Sequence, residues 1–168
     1  MRKMKLDRID RHILIDLQDD GRMSNVDLAK RVGISAPPCL RRVKALEQAG
    51  IIRGYYADID PAVVDYHLVV YAHVSLEKHS DEDLRSFNAL IDTWPMVREA
   101  YMMAGDTDYM LKVVARDWEH YQEFFSKALT KAPNVVHVKS SMTIRCVKNK
   151  PGVPITLDDS QDDDDTAE

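Results

Sequence analysis

The feature that most constrains this chain is a change in hydrophobic period. Up to about residue 50 the apolar residues recur at spacings of three and four, as in Leu6, Ile9, Ile13, Leu14 and Leu17. From residue 68 they alternate: Leu68, Val70, Ala72, Val74 and Leu76 fall on one face of a strand, and Val69, Tyr71, His73, Ser75 and Glu77 on the other. A period near 3.6 and a period of 2 are not compatible in one regular element, so the chain predicts a helical domain followed by a sheet-containing one. At 168 residues there is room for two small domains and no more.

The first part reads as three short helices. Asp7 caps the first, and Gly21 lies beyond its end. Ser24 with Asp27 resembles a capping box for the second, whose stripe is Val26, Leu28, Ala29 and Val32, and Gly33 ends it. Ser35 opens the third, from about Ala36 to Ala49. Two short helices joined by a glycine turn, with a helix before them, is the outline of a helix-turn-helix. Projected at about 100° per residue, the third helix places Cys39, Leu40, Val43 and Leu46 on one side and centres Arg41 on the other, with Arg42 and Lys44 beside it. Pro37 and Pro38 are tolerated in a first turn, but neither has the N–H that an N-cap hydroxyl would normally engage. Ser35 is therefore expected to be free to donate to a phosphate at this helix N-terminus. Arg53, Tyr55 and Tyr56 follow in a short extended run that reads either as a wing or as a plain linker strand covering the helical domain.

Charge supports the same division. The net charge is −5, yet residues 1–56 carry 12 Lys/Arg against 7 Asp/Glu, a local +5. Residues 57–157 are at −3, and residues 158–168 hold seven acids and no base. An N-terminal third that is basic within an acidic whole is compatible with nucleic-acid binding. The acidic end, preceded by Pro151, Gly152 and Pro154, is expected to be a disordered tail, either solubilising or competing with DNA for the basic face.

The second part reads β-α-β-β-α-β. Ser80 caps a helix with Leu84, Phe87, Leu90, Ile91 and Trp94 as its stripe. Strands are expected over Val97 to Ala104 and Tyr109 to Arg116. Asp117 caps a second helix with Trp118, Tyr121, Phe125, Ala128 and Leu129 inward, and a long strand runs from Val135 to Val147. This is the ferredoxin-like order, with both helices on one sheet face. The other face, with Val69, Tyr71 and His73, needs a cover that a second copy of the sheet could supply, which predicts a homodimer. The loop Gly105-Asp106-Thr107-Asp108-Tyr109 could hold a zwitterion, with backbone N–H groups for a carboxylate and an aspartate for an ammonium, although it is equally an ordinary turn sequence.

Other chemistry finds little support. The six glycines form neither a dinucleotide nor a phosphate loop, and no nucleophile–base motif is evident. His67, His73 and His79 have no cysteine near them, and Cys39 and Cys146 form no metal pair, so no catalytic residue, metal or cofactor is expected. The absence of any long uncharged apolar run argues against membrane spans, and the charged start against a signal peptide; the expected location is the cytoplasm, on the nucleoid.

The stretch LDRIDRHILIDLQDDGRMSNVDLAKRVGISAPPCLRRVKALEQAGIIRGYYADIDP, with GDTDYMLKV further on, resembles the leucine-responsive/asparagine regulator (Lrp/AsnC) family of transcriptional regulators over about residues 6–150. The resemblance implies an α+β chain with a winged helix-turn-helix DNA-binding domain over residues 1–60 and a ferredoxin-like effector and dimerisation domain over residues 67–150. Residues 51–66 would form a strand and linker, and residues 151–168 the acidic tail. It implies double-stranded DNA as partner, with dimers assembling further, often to octamers, and small effectors, usually amino acids, bound at contacts between dimers. By position it places Ser24, Ser35, Arg41, Arg42 and Lys44 on the DNA-facing surface, with Arg53 in the wing. Gly105, Asp106, Asp108 and Tyr109 match the ligand loop, while Trp118, Ser141, Met142 and Thr143 fall where other members line or tune the pocket. The last four depart from the leucine-responsive members, so the identity of the amino acid stays open. A DNA-architectural protein that coats or bends DNA without an effector would need the same basic helix and remains the alternative.

Overall fold

The computed structural model describes residues 5–157, which divide into two compact units: residues up to Asp58 together with those from Asn149, and residues Ile59–Lys148. The expected tail residues 158–168 lie outside the described residues. Among the described residues no helix is long and apolar enough to cross a membrane.

The first unit contains α1 (Arg8–Asp19), α2 (Asn25–Val32) and α3 (Ala36–Gln48). Asp7 caps α1 in a reciprocal box with Asp10. Ser24 caps α2, and Gly33 ends it in the left-handed region at φ 74°, where a side chain would be strained. Ile13, Leu28, Ala29, Cys39 and Leu46 form the core, and burial pushes the Cys39 thiol pKa up, as suits an inert packing residue. Leu40 departs from expectation. It is 42% exposed, because Cys39, Val43 and Leu46 at i, i+4 and i+7 already complete the inward stripe. The run after Gly50 is extended but pairs with no strand among the described residues.

The more consequential departure is polar. Asp10 and Asp16 on α1 are almost fully buried, and each meets an arginine from another helix. Arg31 of α2 donates to Asp16 at 2.7 Å, and Arg42 of α3 bridges Asp7 at 2.7 Å and Asp10 at 2.8 Å. A buried carboxylate is tolerated only with such a partner, so these pairs pin α2 and α3 to α1.

The second unit has β1 (Leu68–Leu76), α4 (Asp81–Asp92), β2 (Val97–Met102), β3 (Tyr109–Ala115), α5 (Trp118–Phe124) and β4 (Val135–Met142), with the antiparallel sheet in the order β2-β3-β1-β4. Val70, Ala72, Val74 and Leu76 of β1 and Tyr109, Leu111, Val113 and Ala115 of β3 face the helices and are buried against Phe87, Ile91, Tyr121, Phe124 and Leu129. Two expectations shift. A π turn over Phe125–Leu129 follows α5 and shifts the inward positions there, so that Phe124 and Leu129 are buried and Phe125 and Ala128 only partly so, and Trp118, the first residue of α5, is 51% exposed. β4 stops at Met142, opposite Val70. Thr143 still donates to the Val69 carbonyl, but β1 begins at Leu68 and offers no further partner, leaving Ile144 and Val147 exposed.

Candidate functional site

The positions expected to face DNA fall into two groups. Arg41, Lys44 and Arg53 are exposed, and none of the three has a hydrogen-bond or ionic partner among the described residues. Ser35 caps α3 by backbone conformation alone, with no side-chain hydrogen bond, so its hydroxyl is free at the helix N-terminus as the two prolines require. In contrast, the Arg42 guanidinium is committed to Asp7 and Asp10. Ser24 is engaged in its own cap, receiving the Asp27 N–H and donating to the Asp27 carboxylate at 2.7 Å. The geometry therefore keeps Ser35, Arg41, Lys44 and Arg53 available and gives Arg42 and Ser24 scaffolding contacts.

Two residues of this face were not identified from periodicity. Leu40 stands exposed beside Arg41, where an apolar side chain can meet a thymine methyl. Asn25, at the start of α2, donates to the Ala36 carbonyl at 2.8 Å and so sets where α3 begins relative to α2. Only the spacing Asn25…Ala36 across a glycine turn could have signalled it. Of the two tyrosines, Tyr55 donates to Glu47 at 3.0 Å; burial and this carboxylate push its pKa to about 12. Tyr56 is 88% exposed.

In the second unit the loop between β2 and β3 carries the expected zwitterion chemistry in part. Gly105 sits at φ 140°, in the region glycine favours, and no neighbour crowds it. Among the described residues the N–H groups of Gly105, Asp106 and Thr107 have no acceptor, and Asp106 is exposed without a partner. The Asp108 carboxylate is occupied: one oxygen accepts the Leu76 N–H at 2.7 Å, the other meets His79 Nε2 at 2.8 Å. Tyr109 is buried and donates to Asn88 at 2.9 Å. Asp108 and Tyr109 are thus engaged in holding the loop, while Gly105 and Asp106 keep their polar groups unengaged among the described residues.

The remaining four positions lie elsewhere. Met142 pairs with Val70 and Ser141 with Tyr71, near the start of β1, whereas the Gly105 loop joins β1 at Val74 and Leu76. At about 3.3 Å per residue the two ends are about 20 Å apart. Trp118 follows the end of β3 that pairs with Leu68, so it belongs with Met142; its ring lies 5.8 Å from that of Tyr121, whose hydroxyl bonds Ser140. Within one chain the eight expected ligand positions fall into two separate groups. On the outer sheet face, Lys112 of β3 and Glu99 of β2 pair at 2.6 Å beside Tyr71; that hydrogen bond from Lys112 is the main reason the Glu99 pKa lies below the usual range.

A helix-turn-helix with an unpaired basic face, carried by a chain that also has a ferredoxin-like sheet unit, defines a DNA-binding regulator with a ligand-binding domain. Comparison with known proteins gives the family. The winged helix-turn-helix DNA-binding model matches residues 6–53 and the Lrp/AsnC ligand binding domain model residues 69–153. The chain is 49% identical over 147 residues to a leucine-responsive regulatory protein of Rhizobium meliloti, covering 88% of this chain and 94% of that one. It is 42% identical over 151 residues to a Bkd operon transcriptional regulator of Pseudomonas aeruginosa, covering 90% and 99%. Among solved structures, a transcriptional regulator of Neisseria meningitidis in complex with L-methionine superposes with a TM-score of 0.85 at 36% identity, covering 89% of this chain and 97% of that one. The chain belongs to the Lrp/AsnC family of transcriptional regulators.

Proposed function

We propose that this regulator binds operator DNA sequence-specifically and that an amino acid controls the binding through assembly of its copies. The observation that supports this reading is the separation of the expected ligand positions into two groups at opposite ends of one sheet, which we read as two half-sites. The loop end offers the N–H groups of Gly105, Asp106 and Thr107 for a carboxylate and the Asp106 side chain for an ammonium. The Trp118 and Met142 end offers an apolar, aromatic surface for a side chain. Neither end alone recognises a whole amino acid, so the site is complete only where two copies meet. An effector bound there stabilises whichever assembly forms the contact, which is the differential affinity that a switch requires.

Dimerisation through the outer sheet face supplies the first contact, covering Val69, Tyr71, His73 and the Lys112–Glu99 pair. Higher assembly, to an octamer, follows from half-sites at both ends of each sheet. In a two-fold dimer, paired α3 helices reach major grooves about one helical turn, or a multiple, apart; Arg41 and Leu40 face the bases while Ser35, Lys44 and Arg53 engage phosphates. The protein acts in the cytoplasm, on the chromosome. That the Neisseria structure contains L-methionine supports an amino acid as effector class.

Calorimetric titration of the twenty amino acids, with sedimentation in parallel, tests this reading. Binding of one or a few, with a changed sedimentation coefficient, is expected. Binding without change in assembly or DNA affinity overturns the switch, and no binding at all favours an effector-independent architectural protein.

A further inference from the structure

The loop between β2 and β3 is closed at its base by two backbone hydrogen bonds, from the Met103 N–H to the Asp108 carbonyl at 2.8 Å and from the Asp108 N–H to the Val74 carbonyl at 3.0 Å. Above that base every residue from Met103 to Asp106 is exposed, and Gly105 widens the choice of backbone conformations. A loop of this kind keeps one arrangement only if something outside it restricts it. The restriction comes from the connection between β1 and α4. His79 Nε2 donates to Asp108 Oδ1 at 2.8 Å, while Asp108 Oδ2 accepts the Leu76 N–H at 2.7 Å, so the carboxylate is gripped at both oxygens. The backbone beside His79 is itself held. Asn134, in the turn before β4, brackets Lys78 with its side-chain amide: Oδ1 accepts the Lys78 N–H at 2.8 Å, and Nδ2 donates to the Lys78 carbonyl at 2.7 Å. Its own carbonyl accepts the Glu77 N–H at 2.9 Å. Asn134 sits at φ 71°, which asparagine tolerates better than most side chains, and Ser80 caps α4 on the other side of His79. Asn134, Lys78, His79 and Asp108 thus form a chain of contacts that ends on the loop. The His79 side chain is 55% exposed, so its bond adds little to the stability of the unit, and what it does fix is where Asp108 and the loop stand.

We propose that His79, supported by Asn134, is a positioning residue for the effector: through Asp108 it holds the N–H groups of residues 105–107 and the Asp106 carboxylate in the arrangement that receives an amino acid. The inference rests on the Gly105 loop being part of the effector site. A ligand that binds one loop arrangement has an apparent affinity reduced by the fraction of molecules in that arrangement. A partly exposed hydrogen bond to a carboxylate shifts such an equilibrium by about five- to tenfold. Because His79 acts through Asp108 and not on the ligand, its loss lowers the number of molecules ready to bind. The weakening therefore falls on the association rate, and an effector already bound leaves at the parent rate.

The test titrates each of the twenty amino acids into the full chain by calorimetry, then the tightest binder into His79→Ala, His79→Gln, Asn134→Gly and the double variant, with rates from stopped flow. His79→Ala should bind about five- to tenfold more weakly, with the change in association rate and none in dissociation rate. His79→Gln should restore binding to within about twofold of the parent, since its amide has a similar reach and still donates to Asp108. Asn134→Gly keeps the backbone conformation and loses the bracket on Lys78, so it should weaken binding by a few-fold, and the double variant should be no weaker than His79→Ala, because both act along one path. Thermal unfolding of the His79 variants should match the parent, while hydrogen exchange at the Leu76 N–H should quicken in His79→Ala as Asp108 shifts. Parent-like binding by His79→Ala overturns the positioning role, as does a glutamine variant no better than alanine. Faster dissociation at an unchanged association rate also overturns it, by making His79 a direct contact. If the parent binds an amino acid and Asp106→Ala binds it equally well, the loop is not the site and the role of His79 falls with it. If the parent binds none of the twenty, the effector reading itself is overturned and the inference with it.

Discussion

Arg41 and Arg42 are adjacent arginines on one helix, and their replacement by alanine is expected to have opposite kinds of consequence. Arg42 lies 2.7 Å from Asp7 and 2.8 Å from Asp10, and the Asp10 side chain is only 5% exposed. Removing one member of a fully buried pair typically costs about 3–5 kcal/mol, because the other charge is stranded. Here the guanidinium is one-third exposed and water screens part of the interaction, which brings the expectation for Arg42→Ala to about 2 kcal/mol. That is about a thirtyfold shift in the unfolding equilibrium. On a unit of about 60 residues it lowers the midpoint by on the order of 10 °C. Arg41 has no such partner, so Arg41→Ala should unfold like the parent chain. Its loss should appear in DNA binding, as about 1–3 kcal/mol if it reads a base, or as a salt slope smaller by about 1 if it meets a phosphate.

The assay is urea unfolding followed by circular dichroism, alongside anisotropy of a labelled duplex at several salt concentrations. Adding Asp10→Asn to Arg42→Ala should recover part of the lost stability, since a neutral amide no longer strands a charge. The reasoning is refuted if Arg42→Ala leaves the unfolding curve in place and weakens DNA binding as much as Arg41→Ala does.

Three further outcomes follow from the same geometry. Burial alone would raise the Asp7 carboxyl pKa, but the Asp10 N–H and the Arg42 guanidinium outweigh it and hold it below 3.8. A lowered carboxylate stabilises the fold above its unfolded pKa and ceases to as pH falls through the folded one, so the helical unit should lose stability progressively below about pH 4, less steeply in Arg42→Ala, as acid unfolding curves will show. Ser35→Ala should leave stability unchanged, since no cap hydrogen bond is lost, while reducing duplex affinity; unchanged affinity would remove Ser35 from the interface. Asp106→Ala should abolish amino-acid binding in calorimetry at constant stability. Asp108→Ala should cost about 1–3 kcal/mol by leaving the Leu76 N–H unsatisfied, and the reverse pattern would exchange their roles.

What was legible in the chain was whatever periodicity and capping encode. The change of period at Leu68, the caps at Asp7, Ser24, Ser80 and Asp117, and the glycine at position 33 all act within a few residues of themselves, and each appears where expected. Pairing across elements is a different kind of information. A helical projection gives the direction in which Arg42 points but not that Asp10, 32 residues earlier, is buried beneath it, and so it groups Arg42 with Arg41. Likewise, the family pattern brings Gly105 and Met142 into one site, although β1 holds them at its two ends. That conflict disappears if the site is shared between chains, because then the distance within one chain places no limit on which residues meet around a ligand. The contact between Gln18 on α1 and Val153 shows the same thing for the C-terminal segment. Its composition, Pro-Gly-Val-Pro, suggests an unstructured linker, yet one glutamine side chain bonds both the N–H and the carbonyl of Val153. Such a contact depends on backbone groups, which every residue carries, so no side-chain pattern in the sequence could have announced it.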